Sequence, residues 1–159
     1  MDFSNRDSLY MRYELFYDLS KRYITESCNG ARADDIKKGY LCAAVTITYQ
    51  AMHCILRALL DVLNVSYYDT ETVKDLLGDL NNAHISYLNH TKLTDTFLDT
   101  LEHWQYGVRN GISSETTMEM IVTIHDTIKY MSELYISLSG DSTPKNNIGQ
   151  LLSSAEGNR

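Results

Sequence analysis

A chain of 159 residues fits one domain and is long enough to bury a working core without staples. Its 43% hydrophobic and 22% charged residues are ordinary for a folded soluble protein. The net charge of −7 and the pI of about 5.1 exclude a broad, sequence-independent grip on DNA, which needs a basic footprint, but leave room for a small local RNA or nucleotide site.

The opening "MDFSNRDSLY" is charged and has no apolar run, so no signal peptide is expected there. No stretch reaches 18 consecutive apolar residues, so no membrane span is expected and the predicted location is cytoplasmic. The first helix is predicted from about Asn5 to Glu26, with Ser4 as N-cap and Leu9, Tyr13, Phe16, Leu19 and Tyr23 as its stripe. "SCNGARAD" breaks it, with Gly30 just past its end as a C-terminal cap.

The second helix starts near Ala33 or Asp34 and runs to about Asn64. Its predicted stripe is Ile36, Tyr40, Ala43, Ile47, Ala51, Cys54, Ala58 and Val62. Small residues crowd its first half, including Gly39, Cys42, Ala43 and Ala44, which places it at the centre of the bundle. "MHCILRALLDVL" is apolar on more than one face and should be the most buried part. "NVSYYDTET" reads as a loop, with Asp69 or Thr70 capping a short third helix over Thr72 to Leu80 that carries Val73, Leu76, Leu77 and Leu80.

"NNAHISYLNHT" reads as an irregular turn or a short helix. A fourth helix begins near Thr91 and uses Leu93, Phe97, Leu101, Trp104 and Val108. The fifth begins at Ser113 or Ser114. It uses Met118, Ile121, Val122, His125, Ile128, Met131 and Tyr135, and ends at Gly140. No strand period or repeat stands out, and the only proline is Pro144. The fold class is therefore all-α, a four- to five-helix up-and-down bundle over residues 1–140, followed by a flexible C-terminal tail over 141–159.

The twelve tyrosines suit interfaces, because each ring joins an apolar body to a polar tip. Cys28, Cys42 and Cys54 lack metal-type spacing and read as reduced, mostly buried thiols. Twelve residues of helix separate Cys42 from Cys54 by about 18 Å, too far to bridge.

The sequence contains no Gly-rich phosphate loop, serine nucleophile elbow, paired-cysteine motif or His-Glu-x-x-His, and no metal or cofactor is expected. His125, on the core stripe, reads as a satisfied buried histidine, and His53 reads the same way. His84 and His90 read as solvated. The polar hinge "EHWQYGVRNGISSETT" is the best candidate site. Arg109 offers a guanidinium fork suited to phosphate, Asn110 adds an amide, and Ser113 and Ser114 stand where a helix N-terminus favours an anion. His103 stands six residues before Arg109 on the same helix. The plain alternative is that Asn110 and Gly111 end one helix, a serine caps the next, and Arg109 is a solvated charge.

Two stretches resemble a HEPN domain, the all-α family of prokaryotic nucleotidyltransferase partners, toxin RNases and antiviral systems. They are "YLCAAVTITYQAMHCILRALLDVLNVSYYDTETVKDLL" and "LDTLEHWQYGVRNGISSETTMEMIVTIHDTIKYMSELY". In catalytic members an Arg, often followed by a polar residue, precedes a His by four to six residues. Arg109-Asn110 is similar to the first half of that pattern, whereas Ser114, Glu115 and Thr116 occupy the place of the His. RNA cleavage through the 2′-hydroxyl needs proton transfer near neutral pH, which serine does not supply unaided.

The resemblance therefore implies a homodimeric, non-catalytic accessory subunit. Its corner residues Arg109, Asn110, Ser113 and Ser114 would contact nucleotide, RNA or a protein partner such as a nucleotidyltransferase, in a toxin–antitoxin or antiviral setting. Two alternatives stand beside it. One is a metal-independent endoribonuclease using a displaced His103 or His125 with Arg109. The other is an acidic protein-binding inhibitor.

Overall fold

The computed structural model describes residues 5–83, 99, 102, 103 and 114–140. Among these the regular structure is entirely helical: α1 is Asn5–Ser27, α2 Asp34–Val62, α3 Val73–Ala83 and α4 Ser114–Ser139. The last is the fifth predicted segment. The predicted fourth helix lies outside the described residues, apart from Asp99, Glu102 and His103, which are helical. The proposed tail also lies outside them.

Side-chain meetings set the helix directions. Tyr23 packs on Tyr40 and Ser20 meets Thr48, so α2 runs antiparallel to α1. Ser20 meets His125 while Tyr10 stacks on Tyr135, so α4 is also antiparallel to α1 and parallel to α2. α2 packs against α1, α3 and α4, the central place its small residues predict. Ala44, Ala51 and Ala58, spaced seven apart and so on one line of the helix, are all fully buried. Gly39 contributes nothing to that closeness, for a side chain there would meet open space.

The second half of α2 is the most buried segment, as its composition predicts: Ala51, Met52, Cys54, Ile55, Leu56, Ala58, Leu59 and Leu60 form the heart of the core. In the first half the expected stripe is rotated. Ile36 is 47% exposed, and Tyr40, Ala43 and Ile47 are only half-buried, while Leu41, Ala44, Val45 and Thr48 face inward. Apolar residues occupy both faces there, and the true one includes a threonine that hydropathy alone scores as surface. α3 matches its prediction fully: Val73, Leu76, Leu77 and Leu80 are buried. On α4, Ile121, Ile128, Met131 and Tyr135 are buried as expected, but Val122 is 50% exposed and Ile124 takes the inward place.

The helix ends differ from the sequence reading in two places. Gly30 is not a left-handed cap, since among the described residues the positive-φ positions are Asn64 and Gly140. α1 instead tightens into its end, with the Cys28 N–H shared between the Ile24 and Thr25 carbonyls and the Asn29 N–H donating to Glu26. α2 closes in a Schellman arrangement. Asn64 takes φ 58°, its N–H donates to the Asp61 carbonyl at 3.2 Å, and the Val65 N–H donates to Leu60 at 2.9 Å. The thiols also differ from expectation, because Cys28 and Cys42 are exposed and only Cys54 is buried.

α2 is the one described helix whose length and composition would suit a membrane span. Within its apolar stretch, 67% of residues are buried inside the bundle, as in the central helix of a helical core.

Asn64 is one of the few non-glycine residue types that tolerate the left-handed region. Asn64→Val should destabilise the fold by about 1–2 kcal/mol, whereas Asn64→Gly should leave stability unchanged or slightly raised. Urea unfolding midpoints decide this, and equal midpoints for the two variants would contradict the Schellman assignment.

Candidate functional site

A helix start leaves its first N–H groups without partners inside the helix. α3 resolves this with three different acceptors. The Val73 N–H donates to Tyr49 Oη at 3.2 Å, the Lys74 N–H to Glu102 Oε1 at 2.8 Å, and the Asp75 N–H to Thr72 Oγ1 at 3.2 Å. The Thr72 N–H and hydroxyl donate back to Asp75 Oδ2 at 3.2 and 2.9 Å, a capping box with Asp in the Glu position. The cap is thus Thr72 rather than Asp69 or Thr70. The Tyr49 hydroxyl also donates to Glu102 Oε2 at 3.3 Å, and Lys74 Nζ pairs with Asp99. Burial pushes the Tyr49 phenol up to about 12; the Val73 N–H opposes this and the nearby Glu102 charge reinforces it.

Glu102 opens the polar hinge, so the structure gives the start of that stretch a capping task. A helix N-terminus favours an anion; at α3 the protein's own carboxylate fills that position. His103, the next residue, is exposed, and its Nδ1–H donates to the Asp99 carbonyl at 2.9 Å. Arg109, Asn110 and Ser113 lie outside the described residues. Ser114 is the first residue of α4, and its side chain is likewise outside them.

His125 lies on the α4 face toward α1. Its Nε2 is 2.8 Å from Ser20 Oγ, which in turn is 2.6 Å from Thr48 Oγ1, and Tyr17 meets the imidazole edge-on at 5.1 Å. Ser20 and Thr48 are fully buried. Burial pulls the imidazole down to about 4; the Lys21 charge adds to this and Asp126 partly opposes it. The ring is therefore neutral at neutral pH, with Nε2 directed at a serine that no substrate reaches.

His53 is tied in the same way. Its Nε2–H donates to the Glu71 carbonyl at 2.8 Å, and its ring stacks on Tyr49. Burial lowers its pKa, the Glu71 bond opposes that, and the Arg57 and Arg12 charges add to it. Arg57 pairs with Asp69 at 2.9 Å and lies over the Tyr67 ring, which anchors the loop after α2.

The Tyr49–Glu102 cap and the Thr48–Ser20–His125 relay are both absent from a reading of single residues. The available signal is a hydroxyl on an apolar face: Ser20 and Thr48 each sit at helical spacing from core residues, and a buried hydroxyl demands a partner. Among the described residues, no three His, Cys, Asp or Glu side chains converge as metal ligands would. His84 and His90 lie outside the described residues. Comparison with protein-family models, with curated proteins and with solved structures finds no match to the chain.

Removing the Glu102 carboxylate strips an acceptor from the Lys74 N–H and the Tyr49 hydroxyl. Glu102→Ala should cost about 1–3 kcal/mol in chemical denaturation, and a neutral result would sink the capping role. His125 gives a pH signature. The unfolded imidazole binds its proton near the ordinary 6.5, the folded one only near 4. Between those values the unfolded chain holds more protons, so this group makes stability fall as pH drops from about 6.5 toward about 4 and adds no further slope below. Unfolding midpoints measured across that window should fall less in His125→Gln than in the parent.

Proposed function

We propose that this chain is a HEPN-like helical-bundle accessory subunit that binds rather than cuts. In this reading it is a homodimer in a nucleotidyltransferase, toxin–antitoxin or antiviral system. Arg109 and Asn110 contact a nucleotide, RNA phosphate or partner protein, with Ser113 and Ser114 beside them. The all-helical bundle, with its central α2 and long final helix, supports the fold side of the proposal.

One observation carries the non-catalytic side. Each described histidine is engaged structurally: His53 with the Glu71 carbonyl, His103 with the Asp99 carbonyl, and half-buried His125 with buried Ser20. A general base working at neutral pH needs a pKa near 7 and access to the reacting proton. Half-buried His125 has its Nε2 bonded to buried Ser20 and its pKa pulled down by burial to about 4, which weighs against the displaced-histidine nuclease. The acidic-inhibitor reading has its own support, because the outward face of α4 carries Glu115, Glu119, Asp126 and Glu133, all exposed.

An RNA oligonucleotide pool incubated without metal should stay intact with the parent protein. Binding of the same pool, or of ATP, should weaken about tenfold to a hundredfold in Arg109→Ala, the loss of one charge-assisted contact. RNA cleavage that Arg109→Ala abolishes would overturn the binding-only assignment. Unchanged binding in Arg109→Ala, together with loss of a protein partner on charge reversal of the α4 face, would favour the inhibitor.

A further inference from the structure

We propose that Asn29 is a site of spontaneous covalent modification, an amide-to-acid conversion in the turn that joins α1 to α2. The turn spans Cys28 to Ala33. The Asn29 N–H donates to the Glu26 carbonyl and the Arg32 N–H donates to the Asn29 carbonyl, so the residue is held from both sides. Its side-chain Oδ1 accepts from the Ala31 N–H at 3.0 Å, an Asx turn that holds the carboxamide over the following peptide and polarises its carbonyl.

The nucleophile in this reaction is the backbone nitrogen of Gly30. Among the described residues its N–H has no hydrogen-bond partner, unlike those of Cys28, Asn29, Ala31 and Arg32 around it. Gly30 is exposed and has no side chain to shield the approach, and nothing lies within 4 Å of where a Cβ would stand. Gly30 also retains the backbone freedom that ring closure needs.

The steps balance without a cofactor. The Gly30 nitrogen loses its proton and attacks Asn29 Cγ. The N–Cγ bond forms, the Cγ–Nδ2 bond breaks, and nitrogen departs as ammonia carrying the proton. The resulting five-membered imide then takes up water at one carbonyl or the other, leaving an aspartyl or an isoaspartyl residue at position 29.

The setting gives the product a structural consequence. The new carboxylate stands at the C-terminal end of α1, where the helix dipole disfavours negative charge. It also competes for Arg32, which pairs with Glu26 and lies over the Tyr40 ring. The isoaspartyl form adds a backbone atom to the turn. The modification therefore loosens the α1–α2 connection at the end away from the Asn64 cap.

The folded 159-residue chain, aged at mildly alkaline pH and digested with trypsin, gives the peptide Tyr23–Arg32, in which Asn29 is the only asparagine. Mass spectrometry should show conversion of that peptide into two acidic products, with isoaspartyl in excess. Gly30→Ala should convert many-fold more slowly while keeping the parent's helical circular dichroism, because an added Cβ meets open space and Gly30 is not in the left-handed region. Equal rates in parent and variant would overturn the mechanism. A parent peptide that stays unconverted in the folded protein, while the isolated peptide converts, would overturn the claim that this turn exposes the site. That second comparison decides the matter even if the variant misfolds.

Discussion

The fold depends on the place where buried Thr48 of α2 and Ser20 of α1 meet half-buried His125 of α4. Three long helices contribute one polar group each, and the donors and acceptors match at 2.6 and 2.8 Å. A hydrogen bond adds only about 1 kcal/mol net to stability, but a buried group left without a partner costs about 1–3 kcal/mol. The asymmetry makes this contact a register lock. Sliding α4 by one turn would move the imidazole about 5.4 Å and take its Nε2 off Ser20, while the Ser20–Thr48 bond between α1 and α2 would remain. Two ring contacts share that register, Tyr135 stacking on Tyr10 and Tyr17 meeting His125, while Tyr10–Tyr13 and Tyr13–Tyr17 link them along α1.

The lock decides what the histidine can do. A ring that holds three helices in register is desolvated, and desolvation drives its pKa well below the range useful to proton transfer at neutral pH. Structural and chemical use of one imidazole thus exclude each other here. The tyrosines show the same inward economy. Tyr10, Tyr13, Tyr49 and Tyr135 are buried and bind the bundle to itself, while Tyr17, Tyr23, Tyr40, Tyr67 and Tyr130 stay half-buried. Apolar side chains open to solvent are instead scattered, as with Leu15 on α1 and Tyr68 in the loop after α2.

Helix existence and extent were legible in the sequence because long stretches without proline keep one period. α1, α2 and α3 each lie within a few residues of their predicted bounds, and the α3 stripe is exact in all four residues. The phase of α2's first half was not legible. Tyr40, Ala43 and Ile47 make as good an apolar face as Leu41, Ala44 and Val45, and Thr48 resolves the tie only once Ser20 is known to stand opposite. Caps failed for a similar reason. Asp69, Thr70 and Thr72 are all plausible N-caps by type, and what selects Thr72 is Asp75 three residues on, with Tyr49 and Glu102 arriving from elsewhere in the chain. The candidate site was legible only as a composition, Arg109-Asn110 beside Ser113 and Ser114. At the start of that stretch, Glu102 and His103 are taken up by structural bonds.

Those bonds bear on the binding reading. A phosphate or partner contact is strong only when its donors are held before the ligand arrives. Glu102 shares one carboxylate between the Tyr49 hydroxyl of α2 and the N-terminus of α3, while Lys74 holds Asp99 one turn earlier. Glu102, the first residue of the polar stretch, is thus fixed on two helices at once. In the proposed function, weakening the α3 cap would cost affinity at Arg109 without touching any ligand, because the guanidinium would start from a looser anchor. The coupling separates the two meanings of the Arg-Asn corner. A solvated helix end would be indifferent to how firmly Glu102 is held, whereas a binding corner would feel it.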